Sequence, residues 1–114
     1  MSFEDVLESS IEASKKVLKR GEALKRLTNS SDFRTVIVEG YLRDHAIKLV
    51  YDRSNSEKPD DNTSRQIDAV AHFKAFLDKV LEDMEIAEKE ISEASEQLYR
   101  LRNGEIEWVP KLSN

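Results

Sequence analysis

The sequence predicts an all-α fold: a helical hairpin or three-helix bundle with one long coiled-coil-like C-terminal helix, followed by an extended C-terminal tail. Three observations carry that expectation. Hydrophobic residues are 39% and charged residues 36% of the 114, with three Gly and two Pro, the balance of long helices and coiled coils. Neither Gly nor Pro occurs between Pro59 and Gly104. Within that span Val70, Phe73, Leu77, Val80, Met84, Ala87, Ile91, Ala94, Leu98 and Leu101 alternate spacings of three and four, which is the 3.5-residue repeat of a left-handed coiled-coil seam.

The first helix is expected over residues 3–27, opened by Ser2 with Asp5 three residues on, a capping-box-like start. Phe3, Leu7, Val17 and Leu24 share a stripe with the small residues Ser10, Ser14 and Gly21. Small residues there permit close approach, suited to Ala87 and Ala94 of the third helix. Thr28-Asn29-Ser30-Ser31 breaks the first helix, and Ser30 or Ser31 caps a second over residues 32–52. The β-branched run Thr35-Val36-Ile37-Val38 suggests a strand, but Phe33, Ile37 and Tyr41 recur four apart, as do Leu42 and Ala46, which favours a helix. Residues 53–62 are polar, contain Pro59 and read as a loop.

The third helix is expected over residues 63–102, started by a Thr63–Gln66 capping box and stopped at Asn103-Gly104. In its first half Phe76 and Leu81 widen the apolar face, as under more than one neighbour. In its second half the flanks are Asp83, Glu88, Glu90, Ser95 and Gln97, a narrow seam built for a single partner helix. A helix over residues 62–102 is roughly 60 Å long at about 1.5 Å per residue. On an up-down-up path it outlasts the first helix by about 15 residues, leaving its last four turns projecting with Ile91, Leu98 and Leu101 bare. Bare heptad positions call for another chain. The expected partner or oligomer interface is therefore Met84, Ala87, Ile91, Ala94, Leu98 and Leu101, with Ile106, Trp108 and Val109 of the tail. Residues 1–104 are read as one helical domain and 105–114 as a tail whose lone tryptophan either docks on a partner or folds back on its own bundle.

Chemistry is sparse. With no cysteine there is no disulfide framework, thiolate metal site or thiol nucleophile. Asp68 and His72 stand four apart, but no third ligand completes a metal motif. Three glycines leave little for a phosphate-cradling loop, and the paired carboxylates lie on a solvated helix face without the burial that sets catalytic pKa values apart. No catalytic residue, cofactor site or metal site is expected, and the chain is not expected to be an enzyme. The N-terminus lacks a secretory pattern and no apolar run approaches the ~20 residues of a membrane span, so the cytoplasm is the default compartment.

The net charge of −5 disfavours a nucleic-acid coat, which needs a basic footprint. A local cluster remains: Lys15, Lys16, Lys19, Arg20, Lys25 and Arg26 against Glu22 alone. It reads either as a nucleic-acid contact or, the favoured option, as a solvated face complementing Glu82, Asp83, Glu85, Glu88, Glu90, Glu93 and Glu96 of the third helix.

The stretch 29–50, with its Asp32-Phe33 start and internal Gly40-Tyr41 pair, followed after a polar loop by Arg65-Gln66-Ile67 through Leu77, resembles small helical proteins of tailed bacteriophages. The resemblance covers about the middle half of the chain and holds no catalytic motif. It implies a viral origin, a location in the virion or host cytoplasm, and a structural or assembly role with homo-oligomeric or virion-protein partners. Two alternatives stand beside it: a nucleic-acid-binding packaging accessory similar in role to small terminase subunits, and a phage regulator that binds a host protein through its acidic helix.

Overall fold

The computed structural model describes residues 2–58 and 61–104, and the fold is all-α. Helix α1 spans Phe3–Thr28. Helix α2 runs without a break through Ser31–Phe33, Arg34–His45 and Ala46–Asn55, and helix α3 spans Asp61–Arg102. The expected tail, with Ile106, Trp108 and Val109, lies outside the described residues.

Helix ends follow from local chemistry. Asp5 N–H donates to Ser2 Oγ at 3.1 Å and Ser2 N–H to Asp5 Oδ2 at 3.2 Å, so the reciprocal box closes as expected. Ser30 caps α2 by accepting from Phe33 N–H at 3.4 Å. At the end of α3, Gly104 takes φ 71° and its N–H reaches the Leu101 carbonyl at 3.2 Å, the left-handed stop that glycine tolerates without Cβ strain. One start differs: α3 begins at Asp61, two residues before the Thr63–Gln66 pair expected to open it.

Helix α2 is not uniform. Arg34–His45 is π-helical, a wider winding that is rare beyond single turns and often sits where a helix does more than span. Its start has a local cause. Thr35 Oγ1 donates to the Ser31 carbonyl at 2.9 Å, which is the acceptor that the Thr35 N–H would use in an α-helix. The β-branched run that follows crowds an α turn. Gly40 sits within the π segment, where a Cβ would lie 3.1 Å from the Thr35 carbonyl oxygen, five residues back.

The chain divides into two compact units. The first takes in the described residues of Met1–Gly21 and Glu82–Asn114, and is an antiparallel helical hairpin. Arg102 meets Glu4 and Glu8, Ser14 meets Glu90, and Gly21 meets Met84, so rising numbers on α1 pair with falling numbers on α3. Its core joins Leu7 to Ala94 and Leu98, with Phe3, Ile11 and Leu101 packed against them. Met84 and Ala87 are 2% exposed. Burying a side chain such as Leu7 or Leu98 is worth roughly 1.5–3 kcal/mol.

This pairing corrects the up-down-up expectation. A parallel first helix would end short of residues 91–101 and leave them bare. An antiparallel one begins beside them instead, so the last turns of α3 are covered by the first turns of α1.

The second unit, Glu22–Leu81, buries Leu24, Leu49, Val70 and Val80. Tyr41 of the π segment meets Phe73 of α3 edge-to-face at 5.7 Å and stacks on His45 at 5.7 Å, geometries that aromatic quadrupoles favour. Phe76, expected to widen the buried face of α3, is instead 58% exposed, while Leu81 is half-buried.

Gly21 gives a stability test. A Cβ there would overlap Met84 Cβ and sit 2.6 Å from Met84 Cγ and Sδ. Gly21→Ala should therefore destabilise by roughly 1–3 kcal/mol in urea unfolding, even though alanine gains about 1 kcal/mol over glycine in an exposed helix interior. In a Met84→Ala background the same change should become neutral or stabilising. Additive losses in the double variant would mean that the two residues do not touch.

Candidate functional site

The heptad residues expected to meet a partner are placed first. Met84, Ala87, Ala94 and Leu98 are buried, and Ile91 and Leu101 half-buried, all within the first unit and under cover of α1. The narrow seam has its single partner helix, and that helix belongs to the same chain. Small residues make the approach close: Ser14 is 5% exposed and Gly21 is buried, although Ser10, on the same expected stripe, is exposed. Ser14 Oγ donates to Glu90 Oε2 at 3.0 Å, a charge-assisted bond that satisfies the buried hydroxyl.

The basic residues are divided between the units. Lys15, Lys16, Lys19 and Arg20 belong to the first, Lys25 and Arg26 to the second, and all six are exposed. The expected pairing of this cluster with the acids of α3 does not form. Lys15 pairs with Glu12 of its own helix at 3.4 Å. The ion pairs joining the two helices have the reverse polarity, Arg102 of α3 reaching Glu4 and Glu8 of α1, both at 2.7 Å. Arg102 is consequently held above the ordinary arginine pKa, chiefly by its hydrogen bond to Glu4. These groups are exposed, and water screens their attraction.

Concave polar chemistry is limited. Asp5, Glu8, Ser9, Glu12, Ala13 and Lys16 line a shallow concavity of about 430 Å³ along α1, formed by one helix face. Asp68 and His72 are both exposed, and among the described residues no group of three or more His, Asp or Glu is placed to hold a metal ion. His45 is occupied by its stacking on Tyr41. Among the described residues no helix is long and apolar enough to cross a membrane.

What sequence reasoning missed lies on α2. Leu49 is 5% exposed, while Ile47, Val50 and Tyr51 are 50%, 51% and 64% exposed. Spacings of three and four put those three on one face of Ala46–Asn55, away from Leu49. With Ala46 they line a shallow, predominantly apolar concavity of about 340 Å³. The signal was present: residues 46, 47, 49, 50 and 51 are all apolar or aromatic, and one neighbouring helix covers only one stripe.

The role of the seam is checked by substitution. Leu98→Ala should lower stability by roughly 2–5 kcal/mol in urea unfolding at any protein concentration. The adjacent Tyr99, 65% exposed, should tolerate Tyr99→Ser within about 0.5 kcal/mol. A Leu98→Ala loss that vanishes at low concentration would place the seam between chains.

No known protein family, no curated protein and no solved structure matches this chain.

Proposed function

We propose that this chain is a non-enzymatic structural or assembly protein, a component of a bacteriophage virion, that acts through protein–protein contact at the exposed apolar face of α2. The observation that supports this reading is the arrangement of Ile47, Val50 and Tyr51: three large side chains half or more exposed on one helix face whose opposite side, at Leu49, is buried. Such patches mark interaction sites more often than single exposed hydrophobes do. The phage setting rests on the sequence resemblance across residues 29–77. Helix pairing through the heptad seam is an internal matter in this reading, which moves the outward contact from α3 to α2.

A basic interface for nucleic acid has less support. Four of its six residues share the first unit with the whole net charge of −5, since Glu22–Leu81 holds ten acidic and ten basic residues. Phosphate binding requires positive potential over the contact, so gel-shift titration should give no retarded band even at low salt. Retardation that fades steeply as salt rises would favour the packaging reading instead.

Mass spectrometry of purified virions tests the proposal directly. The chain is expected as a stoichiometric component, and a Val50→Lys variant is expected to fold but to be lost from particles. Particles lacking the chain altogether would sink the virion assignment.

A further inference from the structure

We infer that the apolar face of α2 receives the same face of a second copy of this chain, in an antiparallel, two-fold symmetric contact centred on Val50. The inference rests on the reading of that face as an interaction surface and names its occupant.

Charge selects the second copy. The unit that carries the face has equal numbers of acidic and basic residues, and the net charge of −5 resides in the other unit. Two copies meeting through Glu22–Leu81 therefore meet no net repulsion there, and surfaces of near-zero net charge favour association. A strongly basic or acidic partner, or a nucleic acid, would find no complementary field.

The pattern of charge next to the face selects the orientation. Lys48 and Asp52 lie two residues before and two after Val50, four apart and thus on the same flank of the helix. Both are exposed, and neither forms an ion pair among the described residues. A two-fold axis at Val50 reverses one helix against the other while keeping that flank on the same side. Lys48 of each copy then comes level with Asp52 of the other, so the pair forms twice. A parallel arrangement sets Lys48 against Lys48 and Asp52 against Asp52. This is the self-complementarity that an isologous contact requires, each residue meeting its counterpart's partner.

The seam between the copies is Val50 against Val50, with Ile47 and Tyr51 on either side. A contact of this length is below the ~1,200 Å² of standard stable interfaces, so the association is weak and concentration-dependent.

Sedimentation velocity of the full chain from roughly 10 µM to 1 mM, the range where weak interfaces populate, is the test. The wild-type chain should shift from monomer to dimer, and Val50→Lys should weaken the dimer by at least about tenfold. Lys48→Glu should weaken it several-fold by opposing like charges twice, and the exchanged double variant Lys48→Glu with Asp52→Lys should restore it. Those two positions are exposed, so this arm holds even where Val50→Lys disturbs folding, which circular dichroism reports. A wild-type chain that stays monomeric throughout overturns the second copy as occupant. If Val50→Lys is nonetheless lost from particles that incorporate the wild type, the interaction surface stands and only its occupant is wrong. A dimer indifferent to Val50, Lys48 and Asp52 overturns both.

Discussion

The close antiparallel packing of α1 on the second half of α3 constrains the rest of the molecule. Gly21 leaves no room for a Cβ beside Met84, and Ser14 and Ala87 are nearly sealed from solvent. Small residues at these positions bring two backbones together, so that larger ones, Leu7 and Leu98 among them, fill the space beyond. Dispersion falls steeply with separation, and a hairpin of two helices has little core to spare. The register that brings Gly21 to Met84 also sets Ser14 against Glu90 and Arg102 against Glu4 and Glu8. One steric fit therefore places every polar contact recorded between these two helices.

Much of this was legible in the sequence. The heptad alternation from Val70 to Leu101 marked the buried face of α3, and eight of its ten positions outside Phe73 and Leu77 lie in stretches where burial follows the repeat closely. Ser2–Asp5, Ser30 and Gly104 marked helix ends because capping is local chemistry, decided within four residues. Helix direction was not legible. A heptad seam accepts a parallel or an antiparallel partner equally well, and only the flanking charges discriminate. Here the discriminating residues were Glu4, Glu8 and Arg102, at the far ends of the pairing, rather than the abundant Lys15–Arg20 and Glu82–Glu96 blocks that drew the eye. Exposed charges in number carry little orientation energy when solvent screens each of them.

The π winding of α2 was partly legible. Phe33, Ile37, Tyr41 and His45 recur every four residues without an intervening three, a repeat that drifts off line in an α-helix of 3.6 residues per turn and stays closer to line in a wider one. The structure keeps Phe33, Ile37, Tyr41 and His45 all half-buried and lets Tyr41 touch both His45 and Phe73. A spacing taken only as evidence for helix thus also carried information about which helix.

The covered seam changes where activity can reside. Had the last turns of α3 been bare, they would have been the obvious contact for another chain. Once α1 occupies them, opening that face would expose Met84, Ala87, Ala94 and Leu98 together, a loss comparable with the whole stability of a small domain. Ile47, Val50 and Tyr51 face no such barrier. They are already in water, so a partner that covers them gains apolar burial without first breaking the fold. Their contribution to folding is correspondingly small, and polar residues would serve the helix there as well with less tendency to associate. The energetic asymmetry between a sealed seam and an open face is what directs the interaction to α2.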